Sequence, residues 1–221
     1  MSSFLRHGTE SHLEELISSE SDYQYVERHM RETMSNTPRN YKLTGYSIRK
    51  IYRINNAENW KKYVGRKKEI AADVVDENKT FVKEMRLFHG SPHADTIARE
   101  GFRKVKAKDG LFGEGIYFAE ESSKSNYYAL GGSANPCPVH KTHFCGKCER
   151  KMLLCIVALG NQLKTQEYNS NLATRVTKKG AKYHALKGEQ SKHIKNTEYI
   201  IYNEKQAYPQ FLILYHALYS S

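Results

Sequence analysis

Between residues 137 and 148 the chain reads CPVHKTHFCGKC, which sets Cys137, Cys145 and Cys148 around two histidines, His140 and His143. Three thiolates and one imidazole at such separations make a tetrahedral zinc site with all four positions filled by protein. A closed site leaves no position for an activated water, so the expected role is to hold a loop in place. A Cys145–Cys148 redox pair and a nucleic-acid zinc knuckle are the competing readings. Cys155, inside the apolar run MLLCIVAL, reads as a small buried side chain.

The second group of chemistry-bearing residues is scattered. Gly110 to Gly115 (GLFGEG) is glycine-rich, but its order is wrong for G-x-G-x-x-G and the strand-like IYFA follows it, so no helix N-terminus is present to take a pyrophosphate. No G-x-x-x-x-G-K-[ST] occurs either. What remains is LFHGS, with His89, Gly90 and Ser91; GIYFA running into SKSNYY, with Tyr117, Ser125 and Tyr128; and EYIIY, with Glu198. Taken singly, His89 reads as a structural histidine, the tyrosines as core aromatics, Ser125 as a turn residue and Glu198 as a solvated strand end. Glu204, six residues on, is a rival carboxylate.

In their order along the chain, these segments resemble the catalytic domain of the poly(ADP-ribose) polymerases over about Tyr23 to Tyr215. The tankyrase branch is the most similar, through LFHGSP, FGEGIYFAEESSKSN, EKQAYP and the C-x2-H-x4-C-x2-C spacing. The resemblance selects His140 over His143, giving Cys137, His140, Cys145 and Cys148 as ligands of a structural zinc. It implies an ADP-ribosyltransferase fold of two packed, mostly antiparallel sheets around an NAD cleft, with NAD as substrate and His89, Tyr117 and Glu198 as the catalytic triad. Gly90 would bond the nicotinamide carboxamide through its backbone, where a side chain would intrude, and Ser125 would bond the same group. Tyr128 would stack on the ring with Tyr117 on the opposite side, while His89 and Ser91 would bind the adenosine ribose. Glu198 would hold the nicotinamide-ribose 2′-hydroxyl, stabilise the developing cation and help to activate an acceptor hydroxyl. Arg103 to Asp109 (RKVKAKD) stands where tankyrase-like chains carry aromatic and histidine residues, offering its lysines to the pyrophosphate or to solvent.

The elements that must carry these residues show α+β patterning, without regular βαβ alternation or an internal repeat. Residues 1–21 are polar and are expected to form an N-terminal extension, its first ten residues mobile, ahead of a catalytic domain over 22–221. Tyr23, Val26, Met30 and Met34 recur at helical spacing over 22–34, and SNTPRN then breaks the helix. Tyr46, Ile48, Tyr52 and Ile54 alternate as a strand, and a helix follows with Asn55 or Asn56 near its cap. Further strands are expected at 85–89, 115–119, 152–159, 198–202 and 211–215, with short helices at 94–100 and 123–130. Residues 162–194 are polar, lysine-rich and weakly periodic, and are expected to be largely loop.

A chain of 221 residues buries a full core without disulfides. With 35 Lys and Arg against 24 Asp and Glu, its net charge is +11, which favours anionic partners such as a polymeric product or nucleic acid. The N-terminus lacks the apolar segment of a signal peptide, and the longest apolar run is far short of the about 20 residues needed to span a bilayer. An intracellular, cytoplasmic or nuclear protein with no membrane partner is the expectation, its cysteines reduced and available to metal. Three functions follow: a poly-ADP-ribosylating transferase acting on protein acceptors, including itself; a mono-ADP-ribosyltransferase or an NAD-binding pseudoenzyme; and a zinc-stabilised nucleic-acid module.

Overall fold

Two thirteen-residue strands lie antiparallel at the heart of the computed structural model: β2 (Leu43–Asn55) and β9 (Ala207–Tyr219). The structure describes residues 12–35, 43–74, 82–103, 110–132, 137–142, 144–178 and 180–220. Nine strands form one sheet in the order β1-β2-β9-β5-β3-β4-β8-β7-β6. The remaining strands are β1 (His12–Glu15), β3 (Glu84–Gly90), β4 (Ile116–Ala119), β5 (Arg150–Ala158), β6 (Gln162–Thr165), β7 (Ala185–Gly188) and β8 (Glu198–Ile201). Every neighbouring pair is antiparallel except β6–β7. The two sheets implied by the resemblance meet edge to edge, since β3 and β4 share a single registered pair, Phe88 with Ala119. The cleft lies along this junction.

In β2 the expected alternation over 46–54 is interrupted by a bulge between Ile48 and Lys50. The extra residue reverses the face downstream. Tyr46 and Ile51 are buried on one side of the sheet with Phe88, Met152 and Ile213, while Ile54 joins the opposite cluster with Leu87, Leu153 and Tyr199. Helix α1 (Ser21–Glu32) closes the first side by burying Val26 and Met30, the i and i+4 positions of its apolar stripe. Helix α2 (Ala57–Asp73) starts where the Asn56 side chain accepts the backbone N–H of Asn59 at 2.9 Å, and it buries Tyr63 and Ile70. Short helices α3 (Ala94–Glu100), α4 (Ser122–Tyr128) and α5 (Ala173–Thr177) complete the set. Helix α4 stops before Leu130 because Gly131 and Gly132 follow at φ of 108° and 81°.

Two expectations change. The polar extension is shorter than residues 1–21: His12–Glu15 pairs along β2, and Arg53 and Lys50 of β2 hold Glu14 and Glu15 at 2.8 Å each. The expected mobile first ten residues, most of SNTPRN, Lys104 to Asp109 and His143 lie outside the described residues. Residues 162–194 hold β6, β7, α5 and a 3-10 turn at Ser170–Leu172. Leu163 and Leu186 from these strands bury a third apolar cluster with Phe112, Ile194 and Ile200, so one or two apolar residues per short strand suffice. No described helix is long and apolar enough to cross a membrane.

Candidate active site

Strands β3, β4 and β8 and helix α4 wall a cleft of about 750 Å³. His89, Gly90, Ser91, Tyr117, Ser125, Tyr128 and Glu198 all line it, although they come from four segments spread over more than a hundred residues. Glu204 lines it as well, from the 3-10 turn Glu204–Gln206 beyond the opposite end of β8.

The imidazole of His89 sits against the rings of Phe102 and Phe118, with centroids at 5.2 and 5.5 Å, and its Nδ1 lies 2.9 Å from the backbone oxygen of Tyr117. Burial lowers its pKa below the usual histidine value, which outweighs the carbonyl, so the ring is neutral at pH 7. Nδ1–H then donates to the carbonyl and Nε2 is left as an acceptor. The hydroxyl of Tyr117 is committed to its own loop: it donates to Gly113 O at 2.7 Å and accepts from the Phe112 N–H at 3.0 Å. Burial pushes this phenol up to about 12. What Tyr117 offers the cleft is its ring.

Gly90 is glycine for a reason nearer than any ligand. A Cβ there would lie 1.8 Å from the carbonyl oxygen of Ser125, so α4 packs directly on the backbone of β3. The Ser91 hydroxyl accepts from the His93 N–H at 3.1 Å. Tyr128 lines the cleft and is 38% exposed.

Glu198 opens β8 between β4 and β7, opposite Ala119 and Gly188, and its side chain is buried. Lys124 of α4 reaches it with Nζ 2.6 Å from Oε1, and both side chains are largely shielded. The same ammonium stands 5.2 Å from the centroid of Tyr128. Burial pulls the Lys124 pKa down, but the Glu198 carboxylate together with Tyr128 and Tyr168 offsets this and the net shift is upward. Spacing gives no hint of this pair, because 74 residues separate its members. Next to it, Glu121 accepts from Ser35 and, at 2.6 Å, from the side-chain amide of Asn196, tying the segment ahead of Glu198 to the start of α4.

The Cys/His segment stands at the other end of α4. The donor atoms of Cys137, His140, Cys145 and Cys148 lie within 4.8 Å of one another. Individual separations are 3.5 Å for Cys137–Cys148, 3.4 Å from His140 Nδ1 to each of Cys145 and Cys148, and 3.7 Å to Cys137. A tetrahedron built on zinc–sulfur bonds of about 2.3 Å has sulfur–sulfur edges of about 3.8 Å, so the four residues fit such an ion. The His140 backbone N–H on the Cys137 sulfur lowers the pKa of that thiol, while Cys148, hydrogen-bonded to it, is shifted upward.

Residues 20–217 match the family model of the poly(ADP-ribose) polymerase catalytic domain. A probable poly(ADP-ribose) polymerase of Dictyostelium discoideum is 31% identical over 200 residues, covering 88% of this chain and 50% of the relative. The chain thus spans about half the length of this curated relative.

Proposed function

This chain belongs to the poly(ADP-ribose) polymerase catalytic domain family, a family of NAD-dependent ADP-ribosyltransferases, and we propose that it uses its Glu198–Lys124 pair to build poly(ADP-ribose) on protein acceptors, itself included, in the manner of the tankyrase branch. The observation that carries the reading is a buried carboxylate held by a largely shielded ammonium in a cleft whose lining also offers hydrogen-bonding groups and aromatic faces. Nicotinamide leaves NAD as a neutral amide, so departure needs no general acid. The ribose meanwhile gathers positive charge, which a nearby carboxylate stabilises.

Ser125 and the backbone of Gly90 read the carboxamide, and Tyr128 and Tyr117 face the pyridinium ring. His89, neutral with Nε2 accepting, and Ser91 take the adenosine ribose. Glu198 binds the ribose 2′-hydroxyl and relieves an acceptor hydroxyl of its proton. Lys124 keeps that carboxylate in place. The Cys3His cluster holds a zinc ion as a staple and favours the tankyrase branch within the family; a bound ion there supplies no activated water, since all four positions are filled. The net charge of +11 suits retention of an anionic polymer.

The test is incubation with NAD labelled in the adenylate, followed by sizing of labelled products and measurement of free nicotinamide. Ladders of long polymer on protein support the proposal. Single additions reduce it to mono-ADP-ribosylation, and NAD binding without release of nicotinamide would make the domain a binding module.

A further inference from the structure

Arg150 carries a charge that the described residues do not balance. It opens β5, is 2% exposed, and forms no ion pair within 4.0 Å among the described residues; its Nε is buried without a partner. Its other nitrogens reach in two directions. Nη2 donates to the backbone oxygen of Cys145 at 3.0 Å, and Nη1 donates to the backbone oxygen of Asn126 at 3.1 Å and to its Oδ1 at 3.3 Å. Asn126 is 1% exposed and fully engaged: its Oδ1 also accepts from the Tyr215 hydroxyl at 2.9 Å, and its Nδ2 donates to the Tyr219 hydroxyl at 3.2 Å. The guanidinium lies 5.6 Å from the Tyr219 ring.

Burying a guanidinium without a counter-charge is costly. A divalent ion with three thiolates and a neutral imidazole has one negative charge overall, and Cys145 is one of those ligands. Asn126 follows Ser125 directly on α4, two residues after Lys124 and two before Tyr128. We infer that Arg150 is a positioning residue that couples metal occupancy of the Cys/His cluster to ligand binding in the cleft, with the filled cluster as its counter-charge and Asn126 as its grip on α4. The inference rests on the reading of the cleft as an NAD site. Linkage makes the effect reciprocal: what tightens α4 must also tighten the hold on the ion.

The experiment measures, at equilibrium, how much zinc the zinc-loaded protein gives up to a competing colorimetric chelator, with and without saturating nicotinamide. Nicotinamide should tighten zinc binding about five- to tenfold, within the usual range of site–site coupling. Asn126→Ala, which deletes the side-chain half of that grip and leaves Arg150 on the backbone oxygens of residues 126 and 145, should shrink the nicotinamide effect and weaken nicotinamide binding by the same factor. Arg150→Met should hold zinc weakly whether or not nicotinamide is present, and Arg150→Lys, which keeps the charge, should recover part of the retention. If nicotinamide binds the wild-type protein in a direct titration but leaves zinc binding unchanged, the coupling is wrong and the NAD reading stands. Unchanged linkage in Asn126→Ala also overturns the coupling, even where Arg150→Met fails to fold. Failure of nicotinamide to bind at all removes the NAD reading and this inference with it.

Discussion

The cleft and the Cys/His loop are neighbours joined by α4, yet they are built on opposite plans. The loop takes its four donors from twelve consecutive residues, so short turns bring them together. The cleft draws on β3, β4, α4 and β8, and its central pair, Lys124 and Glu198, meets only after the sheet has closed. A local site depends on its own loop and on an ion. A composite site depends on the register of every strand beneath it, so damage there should reach the chemistry directly, whereas damage to the loop should arrive weakened.

The largest contrast is expected at Glu198. Glu198→Gln keeps the shape of the side chain and deletes the charge and the base, a loss typically worth about 10²–10⁴-fold in rate. Nicotinamide binding should survive, but polymer should shrink to single ADP-ribose additions on a sizing gel. Long chains from this variant would shift attention to Glu204, which lines the same cleft. Lys124→Met should come next, leaving Glu198 buried without its partner at a cost of about 3–5 kcal/mol, read from urea unfolding at pH 7. Lys124 has its pKa raised in the folded state, so its stabilising effect is complete below the ordinary lysine value of about 10.4 and is lost as pH rises through the folded value. The difference between wild type and Lys124→Met should therefore narrow in strong alkali.

Cys145→Ala should have a smaller effect on the reaction. Elemental analysis should find zinc lost from the variant, with faster proteolysis around residues 137–148 and nicotinamide affinity reduced about tenfold, the scale of ordinary coupling between sites. Near-complete loss of turnover with the fold intact would make the metal part of the chemistry and erase the contrast. The smallest effect concerns pH and neither site alone. His29, His89 and His184 all have folded pKa values lowered by burial, so each contributes stability above the unfolded value of about 6.5 that is lost as pH falls through the folded value. The urea midpoint should drop between pH 7.5 and 5.5, and His184→Gln should reduce that drop. A midpoint independent of pH would show that these histidines protonate equally well in the folded state.

The same division decides what could be read in advance. The Cys/His cluster follows from spacing, with the family resemblance choosing His140 over His143, and α3 over 94–100 follows from local pattern. His89, Gly90, Ser91, Tyr117, Ser125, Tyr128 and Glu198 converge as expected because motif order carried them, but the reason for Gly90 lies in the carbonyl of Ser125, which no spacing displays. Strands β1, β6 and β7 escaped notice because HLEE, QLKT and ALKG are four-residue pieces too polar to alternate visibly. Their pairing is decided by neighbours far along the chain, through β2 for the first and β8 for the last. Lys124 and Arg150 were missed for a related reason. Each looks like one more cation in a basic chain until folding buries it.

The central place of β9 has a consequence for synthesis. Among the described residues it is the only element that joins β2 to β5. At about 5–20 residues per second, roughly eight to thirty seconds pass on the ribosome between the making of β2 and the making of β9. From its own synthesis until β9 emerges, each of the two strands that β9 will bridge presents an unpaired backbone edge to other chains. The nascent protein therefore carries an aggregation risk that the finished molecule lacks, and the translation rate across residues 160–206 should govern its yield as strongly as any substitution in the core.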